Sequence, residues 1–195
     1  YLHRVDPDMP IEESVDQLGR LRDEGKIGGV GLSEVSAAQL QIAHGVTPVT
    51  ALQSEYSLWT RDVEAGILDT ARALGIGFVA YSPLGRGFLA GGGPTDETDR
   101  RNIHPRFQAD AVAANSRRRR IIEDVAERLH ATPAQVSLAW VLSKPAVSAP
   151  IVGPTKVHHL TDAVAALDVR LTGDEVARLE EHYSPHIPRS FQKFE

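Results

Sequence analysis

His3, Ser33, Gln53, Tyr81, Ser82 and Gly153 fall at or just beyond the C-terminal ends of predicted strands. Between them they offer an imidazole, hydroxyls, a carboxamide and a phenol, groups that pass protons and hold a polar ligand by directed hydrogen bonds. Metal chemistry is not expected. The chain has no cysteine, which excludes disulfides and thiolate ligands. The adjacent pair His158-His159 lacks the i, i+4 spacing and the carboxylate that a helical metal site needs. A net charge of −5 argues against general nucleic-acid binding. The local run Arg117-Arg118-Arg119-Arg120 reads as a solvated helical turn. No apolar run approaches the ~18 residues of a membrane span, so no membrane partner is expected.

The elements that must position these groups alternate. Gly28–Leu32, Val49–Gln53, Gly77–Tyr81 and Val147–Val152 read as short buried strands, and Tyr1–His3 as a clipped one. Ser36 caps a helix running to about Ala43, a second helix covers about Val63 to Leu74, and Thr132-Pro133 opens another. Ala90–Ala114, rich in Gly, Pro, Asp and Asn, reads as one long irregular stretch.

Strands alternating with helices imply parallel βα units in an α/β fold. An open Rossmann sheet would place a GxGxxG motif after its first strand, and none is present. Polar residues gathered at successive strand ends instead fit a TIM (β/α)8 barrel, whose strand ends converge on one mouth. A barrel typically needs about 250 residues, so a chain of 195 residues would supply only part of it. The opening at Tyr1, without methionine and inside an apparent strand, carries the expectation that preceding residues are missing.

Five segments then add a resemblance. Tyr1-Leu2-His3-Arg4-Val5-Asp6, Gly31-Leu32-Ser33-Glu34, Leu52-Gln53-Ser54-Glu55-Tyr56-Ser57, Ala80-Tyr81-Ser82-Pro83-Leu84-Gly85-Arg86-Gly87 and Pro150-Ile151-Val152-Gly153-Pro154-Thr155-Lys156 occur in the order found in the aldo-keto reductases. The chain resembles that family's barrel from its fourth to its eighth strand, with strands 1 to 3 absent. Residues 1–195 would then be the C-terminal portion of a single barrel domain.

The resemblance implies hydride transfer from NADPH to an aldehyde or ketone, a small-molecule carbonyl substrate. The family's catalytic tyrosine, lysine and aspartate lie on the absent strands, and His3 matches the histidine that orients the carbonyl. Ser33 and Gln53 match the residues that hold the nicotinamide carboxamide, and Tyr81 the aromatic that stacks on the nicotinamide ring. Glu34 stands where many relatives have asparagine. Ser82, Pro83, Leu84, Gly85 and Gly87 form a turn-rich segment suited to close backbone contact with pyrophosphate. Gly153, Thr155, Lys156, His159 and Asp162 resemble the loop and helix start that hold the adenosine 2′-phosphate and adenine, with Lys156 as phosphate ligand. Trp59 and the segment Arg101–Phe107 are candidates for lining the substrate pocket.

A cytoplasmic NADP-dependent oxidoreductase is the expected function. The alternative is a barrel that binds a nicotinamide nucleotide as a regulatory or redox-sensing subunit without turnover. The sequence names neither the carbonyl compound nor the oligomeric state.

Overall fold

The computed structural model of the chain describes residues 1–183. Its elements are α1 (Ile11–Asp23), β1 (Val30–Ser33), α2 (Ala37–Val46), β2 (Val49–Glu55), α3 (Ile67–Ala73), β3 (Gly77–Tyr81), α4 (Ala109–Arg128), α5 (Pro133–Leu142), β4 (Val147–Ile151), α6 (Val157–Ala165) and α7 (Gly173–His182). They divide into two compact units. The first holds residues 1–55, 63–81 and 145–149; the second holds residues 56–62, 82–144 and the described residues from 150 onward.

The first unit is built on a sheet in the order β1-β2-β3-β4, with β1, β2 and β3 parallel. The register sets Leu32 against Leu52 and Leu52 against Phe78. These residues, with Ala80, are buried to 0% exposure and form one apolar face. Side chains alternate along a strand, so Ser33, Gln53, Val79 and Tyr81 occupy the opposite face. The burial pattern of β3 alternates accordingly.

Local signals set the helix starts. Ser36 with Gln39 closes a capping box on α2, Thr132 with Gln135 one on α5, and Thr172 with Glu175 one on α7. In α1, Ile11, Val15 and Gly19 share one buried stripe, with Glu12 and Glu13 in the first turn and Arg20 and Arg22 in the last. Gly19 is required by a close approach: a Cβ there would stand 2.5 Å from Thr47 Oγ1, just past the end of α2.

The structure differs from expectation in several places. The clipped strand at Tyr1–His3 reduces to a single parallel bridge, Leu2 to Leu32, because only Leu2 exchanges backbone hydrogen bonds with β1. The strand expected from Gly28 begins at Val30. The helix expected from Val63 splits into a 3-10 turn, Asp62–Glu64, and α3, with Gly66 at φ 103° between them. The long irregular stretch is shorter: 3-10 turns cover Arg100–Ile103 and Pro105–Phe107, and α4 starts at Ala109. The arginine run lies on α4, where Arg119 pairs with Glu123 at 2.8 Å and Arg118 donates to Asn115 Oδ1.

In the second unit, Arg61 is 8% exposed at its side chain and reaches α7. Its Nη1 donates to the carbonyls of Glu180 (3.2 Å) and Tyr183 (2.9 Å), and its Nη2 stands 3.3 Å from Glu180 Oε2. Glu180 Oε1 accepts from Trp140 Nε1 at 3.1 Å and also pairs with Lys144. Burial pushes the Glu180 carboxyl up, but the Lys144 and Arg61 cations and the Trp140 hydrogen bond outweigh it and hold the group below its ordinary value.

Candidate functional site

In the first unit the expected nicotinamide residues come together at one end of the sheet. Ser33 is the last residue of β1 and the direct register partner of Gln53 on β2. Two residues beyond, Glu55 on β2 is the partner of Tyr81, the last residue of β3. Ser33 is 4% exposed; its amide donates to Leu2 O at 3.0 Å and its Oγ accepts from Arg4 Nη1 at 3.0 Å. Gln53 is half-buried, with its carbonyl accepting from Glu34 N. His3 lies just beyond the Leu2 bridge, exposed, and its carbonyl accepts from the same Arg4 guanidinium at 2.6 Å.

Glu34 turns sharply out of β1 at φ 58°, a left-handed conformation that costs a residue with a Cβ. Its Oε1 accepts from Glu55 N at 2.7 Å, so the carboxylate closes the gap between the ends of β1 and β2. A carboxylate can fill this place because the role asks only for an acceptor. Burial, then the Glu34 and Glu55 carboxylates, push the Tyr81 phenol above its ordinary range, against the opposing pull of Arg4. Tyr81 therefore stays protonated and neutral.

In the second unit, the segment after Tyr81 is a chain of tight turns. Ser82, Gly85, Arg86 and Gly87 have φ of 50°, 55°, 58° and 89°. The Gly85 amide donates to Ser82 O and the Gly87 amide to Leu84 O, so these two N–H groups build the turn itself. Pro83 is buried and Leu84 half-buried. Gly85 has no room for a side chain: a Cβ would meet Trp59 Cε3 at 2.7 Å and Leu89 Cγ at 3.3 Å. Arg101 braces the turn from outside, donating to Arg86 O at 3.1 Å, to Gly93 O, and to Asp99. Those bonds hold the Asp99 carboxyl well below the usual carboxylate range.

Trp59 is 1% exposed and belongs to this unit's core. Its ring stacks on Phe88 at 4.4 Å and meets Phe107 edge-on at 5.5 Å, and the Arg106 guanidinium lies 5.1 Å from its centre. His104, Arg106 and Phe107 are buried as well.

The expected phosphate residues gather around the start of α6. Gly153 and Thr155 are exposed, and Lys156 is the exposed N-cap of the helix. The rings of His158 and His159 meet edge-on at 4.4 Å. Asp162 faces elsewhere: its carboxylate accepts from Gln135 Nε2 at 2.8 Å and from Thr132 Oγ1 at 3.1 Å, which anchors it to the start of α5. It lines an open depression of about 660 Å³ with Gln135, Val157, His158, Thr161 and Ala165, which Lys156 and His159 do not line.

Arg4 is the residue that the sequence reading missed as a site residue. Arg4 adjoins His3, but nothing in its spacing announces a partner 29 positions away. Among the described residues no group of histidines and carboxylates could hold a metal ion, and no helix is long and apolar enough to cross a membrane.

Residues 1–184 match the model of the aldo/keto reductase family. The chain is 45% identical over 184 residues to a probable aldo-keto reductase of Glycine max, an alignment covering 93% of this chain and 53% of that protein. The chain thus spans about half the length of that curated relative. Among solved structures it is similar to the glycerol dehydrogenase of Gluconobacter oxydans, with a TM-score of 0.85 and 27% identity over 97% of this chain and 59% of that one. It is also similar to a thermostable aldo-keto reductase in complex with the inhibitor epalrestat, with a TM-score of 0.72 and 28% identity over 92% of this chain and 57% of that one.

Proposed function

The chain belongs to the aldo/keto reductase family, and from that premise we propose that the protein is a cytoplasmic oxidoreductase reducing an aldehyde or ketone with NADPH. In this reading residues 1–195 form the C-terminal portion of one barrel domain, strands 4 to 8, with Leu2 marking the fourth. The observation that carries the proposal is the register of Ser33 with Gln53, on the same sheet face as Tyr81. A hydroxyl and an amide on neighbouring strands suit a carboxamide, and a neutral ring on the next strand suits a flat nicotinamide.

Ser33 and Gln53 hold the carboxamide and Tyr81 stacks on the ring. The turn Ser82-Pro83-Leu84-Gly85, with Gly87, takes the pyrophosphate. Gly153, Thr155, Lys156 and His159 take the 2′-phosphate, with Asp162 nearby through its place on α6. NADPH supplies the hydride. His3 orients the carbonyl oxygen, which gains negative charge as the hydride arrives and needs a donor.

The test is cofactor discrimination. Lys156→Ala should weaken NADPH by about tenfold or more, since one charge-assisted contact is worth roughly 1.5–3 kcal/mol. NADH binding should hold, because NADH lacks the 2′-phosphate. Equal losses for both cofactors would take Lys156 out of the phosphate site.

The tyrosines favour the second reading for the chain by itself, a nicotinamide-nucleotide-binding barrel without turnover. Tyr56 and Tyr183 are 0% and 1% exposed, Tyr81 lies beside Glu34 and Glu55, and the Tyr1 ring lies on Gly31. Among the described residues, no hydrogen bond joins His3 to any of the four tyrosines.

A further inference from the structure

We propose that Arg4 is a positioning residue that sets Ser33 as a hydrogen-bond donor toward the ligand and ties it to the strand end carrying His3. The inference rests on the reading of Ser33 as a nicotinamide ligand and goes beyond it to a residue outside the contacts assigned to the cofactor.

A serine hydroxyl rotates to suit its surroundings, giving one proton and accepting through its lone pairs. A guanidinium has donors only. Arg4 Nη1 lies 3.0 Å from Ser33 Oγ, so in this pair Ser33 can only accept. Its proton is thereby turned to another direction, and among the described residues no acceptor is recorded for it. Ser33 is 4% exposed, and a buried hydroxyl proton without a partner is costly. A carboxamide oxygen meets that need. Gln53, the register neighbour, has both a donor and an acceptor to complement the carboxamide NH2.

The same guanidinium nitrogen donates to His3 O at 2.6 Å. Leu2 is the only residue of this terminal segment bonded to β1 by backbone, through Gly31 O and Ser33 N. Arg4 adds a side-chain tie one step further along, so that His3 and Ser33 are held against one group. A lysine ammonium, freely rotating on a flexible stem, fixes such a bridge less rigidly than a planar guanidinium.

The experiment titrates the chain with NADPH and, separately, with adenosine 2′,5′-bisphosphate, which carries the 2′-phosphate but no nicotinamide. Arg4→Met keeps the apolar stem and removes the donors. It should weaken NADPH about fivefold, the size of one partly exposed hydrogen bond, and leave the bisphosphate unchanged. In a Ser33→Ala background the same substitution should have no further effect on NADPH. Unchanged NADPH affinity in Arg4→Met, equal losses for both ligands, or a full loss persisting without the Ser33 hydroxyl would each overturn the proposal. A wild-type chain that binds neither ligand would remove the cofactor reading and this inference with it, whereas binding of both with no effect of Arg4→Met removes the inference alone.

Discussion

Gly85→Ala separates two costs that usually arrive together. The residue has φ 55°, where an L side chain loses roughly 1–2 kcal/mol. Its Cβ would also stand 2.7 Å from Trp59 Cε3 and 3.3 Å from Leu89 Cγ. Trp59 is pinned by Phe88 and Phe107 and cannot swing aside, so an overpacking cost of about 1–3 kcal/mol adds to the strain. The sum is about 3 kcal/mol, and for a chain of this length it corresponds to a Tm drop of roughly 6–12 °C. Gly91→Ala is the matched control, with φ 92° and nothing within 4 Å of its Cβ; it should cost about 1–2 kcal/mol from strain alone. Urea titrations and thermal melts of both variants give the comparison. A second background closes it: with Trp59→Leu already present, the increment from Gly85→Ala should fall to that of Gly91→Ala. Equal costs for the two alanines in the wild-type background would show that the Trp59 contact does not constrain the turn.

Two further outcomes are expected. Glu180→Gln should lose about 1–2 kcal/mol at neutral pH, a partly exposed charged network being worth less than a buried one. The folded pKa of Glu180 lies below its ordinary value, so its contribution is present above the usual carboxylate range and fades as pH falls through that lowered value. Wild type and variant should therefore converge in acid melts, and a constant gap at every pH would refute the ion-pair account. With NADPH and a reactive aromatic aldehyde, the chain should turn over about 10²–10⁴ times more slowly than a reductase with a tyrosine hydrogen-bonded at its histidine, because among the described residues no hydrogen bond joins a tyrosine to His3; ordinary turnover would overturn that reading.

Much of the fold was legible because its signals are local. Ser36 and Thr132-Pro133 announce helix starts three residues ahead of their glutamines, and the period-two pattern of Phe78, Val79, Ala80 and Tyr81 shows which side each faces. The alternation also placed Ser33 and Tyr81 at strand ends, whereas Gln53 falls two residues short of the end of β2 at Glu55. What the sequence hid were partners set by tertiary approach. Glu34 looked like a misfit for an amide's role, yet it serves as an acceptor for Glu55 N across the strand gap. Asp162 looked available to a base but is engaged by Thr132 and Gln135, about thirty positions earlier. Trp59 followed a turn and suggested a pocket wall, whereas three aromatic and basic neighbours from residues 88–107 enclose it. Helices α1 and α7 were passed over although each carries a clear apolar stripe.

The grip of Arg61 on Glu180 has a consequence for the order in which the second unit assembles. The two residues are 119 positions apart, so the contact closes a loop whose entropy costs about 4 kcal/mol before any bond repays it. In the last turn of α7 the Glu180 carbonyl receives that distant cation. The hairpin-like neighbours α4 and α5 involve short separations and can form early, whereas capping of α7 belongs to the last stage of folding. Amide exchange should record this history: Arg61→Ala should release the last turn of α7 to solvent while its first turn, held by Thr172 and Glu175, keeps its protection.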